Sequence, residues 1–251
     1  MKNIVILGAT SEIGKQAAIC FCKDPSAFIL VGRKQEKLAS ISDELRHSGA
    51  KDVRTIVCDL TSTKEHRKLL ESILTTYDTI DVVLICHGIL GDQKTLMSDY
   101  DTCEELFQTN FMSILSFVNL LTAAYVPQRS CVVGIISSVA GVRGRAENFL
   151  YGASKAALTT YADGLRASLQ GSKFHVVTIL PGLTTTPMTG HMPKNILFSS
   201  AEKVGKDIYD AVIHKKNKVF TPFWWRYIMF VVWMLPERLV LNLTRLRSKK
   251  P

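Results

Sequence analysis

The sequence predicts one doubly wound α/β domain, a parallel sheet covered by helices on both faces, continued by an amphipathic helical extension. Three observations predict it. Short apolar runs alternate with stretches of helical periodicity along the chain. The first run ends in a glycine-bracketed turn, Gly8-Ala-Thr-Ser-Glu-Ile-Gly14. The run ending at Cys86 is apolar almost throughout, as a parallel strand covered on both faces requires. A length of 251 residues suits a single domain of this kind, and there is no repeat or low-complexity segment.

Residues 3–7 form the first expected strand, feeding the turn and a helix to Lys23. Residues 27–31 form the second, closed by Gly32-Arg33 and followed by a charged helix to His47. The third, 53–58, ends at Asp59, and Leu69, Leu70, Ile73 and Leu74 give residues 64–77 a helical period. Residues 81–86 make the fourth strand, and a long helical region covers 99–125. The fifth, 131–136, ends at Ser137-Ser138 and precedes a helix over 149–169. The sixth, 175–180, stops at Pro181-Gly182, ahead of Leu183 and three threonines, Thr184 to Thr186. A helix over 201–214 and a short seventh strand at 218–220 complete the alternation. Right-handed βαβ units of this kind put ligands at the carboxyl ends of the strands.

Charge is uneven. The net charge is +9, and nearly all of it resides in residues 215–251. That stretch carries Lys215, Lys216, Lys218, Arg226, Arg238, Arg245, Arg247, Lys249 and Lys250 against Glu237 alone. The expected division is therefore a nucleotide-binding body, 1–215, and an apolar, basic extension, 216–251. Trp224, Trp225, Tyr227 and Trp233 stand among aliphatics there, before Pro236. The uncharged run 227–235 is far short of the ~20 residues that span a bilayer. A second apolar segment, 239–246, holds Arg245 with Arg247 beside it. Aromatics beside basic residues read as an element lying on an anionic membrane surface, or as an oligomer interface with a solvated basic end. Nucleic acid is the weakest partner class, because the aromatics are interleaved with aliphatics. Six cysteines without C-x-x-C or Cys/His spacing give neither a metal site nor a disulfide framework. The first strand begins at once with no cleavable leader, so a reducing, cytoplasmic setting is expected.

Tyr151 and Lys155 stand four residues apart on the expected helix, with Ser138 thirteen residues upstream. Positions i and i+4 share a face, so phenol and ammonium can enter one cleft. An ammonium beside a phenol lowers a pKa that starts near ~10 and suits the phenol to proton transfer. Gly8 and Gly14 let the backbone approach a diphosphate at the positive end of the next helix. Glu12 stands where glycine is usual; a helix cap is favoured over a charge facing phosphate. Arg33, with no acid in its turn, favours NADPH over NADH. Asp59 either bonds the adenine amino group or caps the next helix. Arg143 and Arg145 either bind a substrate phosphate or are solvated loop residues. His87 and His191 receive no role.

In this order and spacing, the Gly-rich turn, Thr109-Asn110, Ser138, Tyr151-x-x-x-Lys155 and Pro181-Gly182 resemble the short-chain dehydrogenase/reductase family, over residues 1 to about 215. The resemblance implies a Rossmann-like fold and an NAD(P)H-dependent oxidoreductase acting on an alcohol or ketone. It makes Tyr151 the general acid/base, Lys155 the residue that tunes it and binds the nicotinamide ribose, and Ser138 the donor to the substrate carbonyl. Asn110 would hold a water of the proton relay. Gly8, Thr10, Ser11, Ile13, Gly14, Gly88, Pro181, Gly182 and Thr186 would line the cofactor, Thr186 at the carboxamide or diphosphate. The family's usual Asn-Asn-Ala-Gly after strand four reads Ile85-Cys-His-Gly88 here, which unsettles the adenosine side only.

Four segments are similar to a narrower group, the decaprenylphosphoryl-2-keto-erythro-pentose reductases. They are the Gly8 turn, Cys86-His-Gly-Ile-Leu-Gly-Asp92, the run from Ser137 to Phe149, and Pro222-Phe-Trp-Trp-Arg-Tyr-Ile-Met229. That likeness implies a lipid-linked keto-sugar substrate and a flavoprotein oxidase as partner; the apolar, basic extension adds the expectation of a peripheral place on the cytoplasmic membrane and of a homo-oligomer. A polyprenyl chain gains ~0.8 kcal/mol per buried CH₂, so such a substrate stays in the bilayer and the enzyme must go to it. Two other readings remain: reduction of another lipid-like carbonyl, such as a 3-oxoacyl thioester or long-chain ketone, and a non-catalytic nucleotide-binding subunit.

Overall fold

The structure, a computed structural model, describes residues 1–125 and 129–239. Its centre is a seven-stranded parallel sheet in the order β3-β2-β1-β4-β5-β6-β9. The strands are β1 (Lys2–Leu7), β2 (Ser26–Gly32), β3 (Asp52–Val57), β4 (Val82–Ile85), β5 (Cys131–Ile136), β6 (Phe174–Pro181) and β9 (Lys218–Thr221). A separate pair, β7 (Thr184–Thr185) and β8 (Ser199–Ser200), closes the loop after β6. β1 pairs with both β2 and β4, so the winding reverses there and leaves a crevice at the carboxyl ends.

The strand residues alternate between two cores. Ile4 and Ile6 of β1 face one side, with α1 (Glu12–Phe21), α2 (Gln35–His47) and α8 (Ala201–Ile213). Val5 and Leu7 face the other, with α3 (His66–Thr76), α6 (Ser113–Tyr125) and α7 (Phe149–Ser168). Every residue of β2 is buried, which explains the unbroken apolar runs in the sequence. α1 and α8 meet through Gly205, where a Cβ would stand 2.6 Å from the Gln16 backbone.

The region expected as one helix over 99–125 is divided. α5 (Tyr100–Phe107) passes through a π turn, Gln108–Met112, into α6, and α4 (Gln93–Ser98) precedes them. Asp92 and Asp99 cap α4 and α5 by accepting from Thr95 N and Asp101 N, respectively. The stretch Tyr100–Tyr125 is long and apolar enough to cross a membrane, but Ile114, Phe117, Val118 and Leu121 of α6 pack on the sheet.

The boundary expected between 215 and 216 does not separate two units. β9 pairs in register with β6, Thr178 opposite Lys218 through Pro181 opposite Thr221, so the extension begins inside the sheet. It continues as α9 (Trp225–Met234). The rest of the expected second segment, residues 240–246 with Arg245, lies outside the described residues, as do Arg247, Lys249 and Lys250.

Candidate active site

A cleft of about 380 Å³ opens at the carboxyl end of the sheet. Its lining includes Gly8, Thr10, Ser11, Ile13, Arg33, Asp59, Gly88, Ser138, Tyr151, Lys155, Pro181, Gly182 and Thr186. Gly14, Asn110, Arg143 and Arg145 stand behind or beside that lining.

At the β1/β4 crevice, Gly8 has φ 75°, and a Cβ there would lie 2.6 Å from His87 N, so only glycine fits. Gly14 seats α1 on the end of β4, where a Cβ would come within 3.1 Å of the Cys86 Cβ. Ser11 is the N-cap of α1, yet its side chain makes no capping bond. The first-turn amides therefore face the cleft without an internal side-chain acceptor, an arrangement that fits a dinucleotide diphosphate. Glu12 does not cap the helix as expected. It is the first helical residue, and its Oε1 is held by Gln16 Nε2 at 3.0 Å and Lys15 Nζ at 3.3 Å. Lys15 thus offsets the carboxylate that replaces the usual glycine.

Arg33 lies exposed at the rim after β2. Asp59 accepts from Thr61 N at 3.0 Å and from the Thr61 hydroxyl at 2.9 Å, a local turn cap on a residue that also lines the cleft. Burial opposes its ionisation, but the Thr61 donors, with Arg33 at longer range, outweigh it and hold the carboxyl below its ordinary value.

The chemical end is assembled by close packing of the loop after β5 on α7. A Cβ at Gly141 would lie 2.7 Å from Ala156 N, and one at Gly152 would lie 2.8 Å from Ala140 O. These contacts bring Ser138 against the first turn of α7, where its hydroxyl draws the pKa of the Tyr151 phenol down. Ser138 Oγ also accepts from Ala140 N at 3.1 Å, which fixes its rotamer. Lys155 is buried, donates to Ile136 O at 3.1 Å and holds its Nζ 5.9 Å from the centre of the Tyr151 ring.

The electrostatics differ from the sequence expectation. Burial raises the Tyr151 phenol above its ordinary value; the bond from Ser138 and the charge of Arg145 pull it down by less. The phenol is therefore protonated at neutral pH, the form that a proton donor to a ketone needs. Burial also lowers the pKa of Lys155, to about 8, which leaves it mostly an ammonium at neutral pH.

Asn110 is buried in the π turn behind the cleft. Its Oδ1 accepts from Ile89 N at 2.8 Å, and its Nδ2 donates to Ile89 O at 2.9 Å and Ser154 Oγ at 3.1 Å. The side chain is committed to the loop after β4 and to α7, and it braces Gly88. A Cβ at Gly88 would come within 3.1 Å of Asn110 Oδ1 and 3.3 Å of Lys155 Nζ. The π turn that carries Asn110 aims it inward, an irregularity with no signature in residue periodicity.

Arg143 does not face the cleft. Its Nη1 donates to Val232 O and Leu235 O, each at 2.6 Å, and to Trp233 O at 3.4 Å, closing the C-terminus of α9. This replaces the expected phosphate contact. Arg145 acts on the phenol by charge from outside the lining. His87 lines the cleft, pairs its Nε2 with Ser113 Oγ at 3.0 Å and is kept neutral by burial, which lowers its pKa to about 3. His191 borders a neighbouring recess with Asp92 and Met188.

Two features escaped the sequence reading. Thr189 donates its hydroxyl to Thr184 O at 2.5 Å and accepts from Thr186 N at 3.2 Å, pinning the loop that carries Thr186. The spacing Thr186-Pro-Met-Thr189 is a capping box and held that signal. Trp225 of α9 is buried against Gly182, where a Cβ would lie 1.8 Å from the indole Nε1. Nothing in the periodicity of the tail marks that contact.

Comparison with known proteins agrees with this geometry. The family described as short chain dehydrogenase matches residues 2–196. An uncharacterised oxidoreductase of Mycobacterium tuberculosis is 30% identical over 93% of this chain and 94% of its own. Another from Streptomyces coelicolor is 30% identical over 95% and 94%. Among solved structures, the actinorhodin polyketide ketoreductase with NADPH superposes with a TM-score of 0.76 at 18% identity, covering 89% of this chain and 97% of that one. A short chain dehydrogenase from Shigella flexneri complexed with NADP gives 0.77 at 23%, covering 87% and 95%. With its parallel sheet, its serine, tyrosine and lysine in one cleft and a family match over most of its length, this chain belongs to the short chain dehydrogenase family of oxidoreductases.

Proposed function

We propose that this protein is an NADPH-dependent ketoreductase whose substrate is a 2-keto sugar carried on a polyprenyl phosphate. The observation that carries the reductase reading is the convergence of Ser138, a protonated Tyr151 and Lys155 in the cleft that the uncapped N-terminus of α1 also enters. Arg33 at the end of β2, where no acid stands, supports NADPH over NADH. The solved NADPH- and NADP-bound relatives of the same fold support it too. When bound, the nicotinamide supplies the hydride.

The chain does the rest. Ser138 donates to the substrate carbonyl oxygen, Tyr151 gives that oxygen its proton, and Lys155 places the positive charge that favours the resulting phenolate. Asn110 holds the Ile89 main chain and so fixes Gly88 beside Lys155. The carbonyl carbon is reduced, and its oxygen stays on that carbon as the hydroxyl of the product alcohol.

Four segments resembling the keto-sugar reductases, and the aromatic helix beside the cleft, support the lipid-linked substrate. A flavoprotein oxidase that dehydrogenates the corresponding alcohol would supply the ketone, and assembly as a homo-oligomer belongs to the same reading. The test couples such an oxidase and polyprenylphosphoryl-ribose to oxidation of NADPH or NADH by this protein. NADPH consumption is expected, and Tyr151→Phe should lower it roughly 10²- to 10⁴-fold while cofactor affinity holds. Unchanged turnover in that variant would overturn the mechanism. Faster reduction of a soluble 3-oxoacyl thioester would move the substrate to that class.

A further inference from the structure

Helix α9 has two unlike sides. Trp225 and Met229, with Ile228 and Val232 partly buried beside them, pack on Val139 and Leu180. The opposite stripe holds Tyr227, Phe230, Val231 and Met234, at i, i+3, i+4 and i+7, each 58–65% exposed, and Phe223 in the turn before the helix is 68% exposed. Trp233 beside it is 67% exposed. A contiguous aromatic patch of this kind is an interaction surface rather than ordinary protein exterior.

The surrounding charge says what covers it. Arg226 lies on the helix and Arg238 just after it, both exposed. The sequence beyond adds Arg245, Arg247, Lys249 and Lys250, and no acid follows Glu237. A second copy of the chain docked here would bring the same cations together. An anionic surface would meet both the apolar stripe and the charge. At ten residues α9 is about 15 Å long, half of what a bilayer core needs, so it suits the interfacial plane.

We propose that α9, with Arg226 and Arg238, forms a docking surface for an anionic lipid bilayer. The helix lies along the interface with the Tyr227–Phe230–Met234 stripe immersed. Its inner side is fastened to the body at both ends, by Trp225 against Gly182 of the cleft wall and by Arg143 on the last carbonyls. Docking therefore fixes the orientation of the wall next to Ser138 and Pro181 relative to the lipid. This inference stands on the helix surface and does not depend on the substrate proposed above.

The test uses the full chain and vesicle sedimentation, comparing equimolar phosphatidylglycerol and phosphatidylcholine with phosphatidylcholine alone. Binding to the anionic vesicles is expected, at least about tenfold stronger than to neutral ones and weakened by added salt. The double variant Phe230→Ser/Trp233→Ser, altered only on the exposed side, should unfold at the wild-type temperature and partition about tenfold less. Arg238→Glu should weaken binding about fivefold. The proposal is overturned if wild type ignores anionic vesicles, or if the double variant binds equally. A dimer in sedimentation velocity that the double variant dissolves also overturns it, because the patch would then cover a second copy. Loss of NADPH turnover in every assay would sink the reductase reading and leave the vesicle result standing.

Discussion

The two ends of the cleft are built from different material. The nucleotide end is backbone: Gly8, Gly14 and Gly88 sit where strand ends and helix starts nearly touch, framed by the two large cores of the sheet. The substrate end is side chains: Val139, Leu180, Trp225 and Met229 form a small third cluster beneath the catalytic loop. A backbone cradle tolerates almost no substitution and serves any dinucleotide. A side-chain wall can be repacked, and here it is borrowed from the C-terminal helix.

Substitutions that insert a Cβ at each end sharpen that contrast. Gly8→Ala would add both a disfavoured positive φ and a 2.6 Å clash with backbone, which has no way to yield. It should cost about 3 kcal/mol and abolish NADPH binding, measured by denaturant unfolding and cofactor fluorescence. Gly182→Ala would clash with the Trp225 indole at 1.8 Å, and a side chain can move. A cost of about 2 kcal/mol is expected, largely relieved in a Gly182→Ala/Trp225→Leu pair; a pair that is simply additive would break the comparison. Arg143→Gln should cost about 1 kcal/mol, with faster proteolysis of α9 and unaltered NADPH affinity, because it frees only the helix carbonyls.

The smallest effect expected is on pH dependence. Lys155 has its pKa lowered from 10.5 to about 8 by burial, so its ammonium is present below pH 8 and lost above it. Turnover in the reductive direction should decline as pH rises through that value. Stability should move the other way. Between pH 8 and 10.5 the unfolded chain holds a proton that the folded one lacks, so unfolding becomes harder as pH rises. A rate profile flat across this window would show that the lysine charge is not needed.

The sheet and the shared cleft of Tyr151 and Lys155 were legible because each leaves a local trace. Strands buried on both faces must be apolar throughout, and Tyr151 and Lys155 must share a helix face. What escaped has no local trace. The π turn at Asn110 is an interruption of one helix by another's geometry, and the contact between Gly182 and Trp225 joins residues far apart in the chain. The acidity of Tyr151 was misjudged for a related reason: spacing shows that a cation is near, and only burial shows how little charge either group can sustain. Arg143 looked available for phosphate until its three carbonyl partners were seen.

That β9 enters the sheet directly before α9 has a practical consequence for anyone reshaping this protein. A chain shortened before Pro222 would lose not an appendage but the lid over Leu180, and activity lost that way would say nothing about lipids. Exchanging tails between relatives to alter substrate choice should succeed only when the tryptophan and the glycine it rests on travel together.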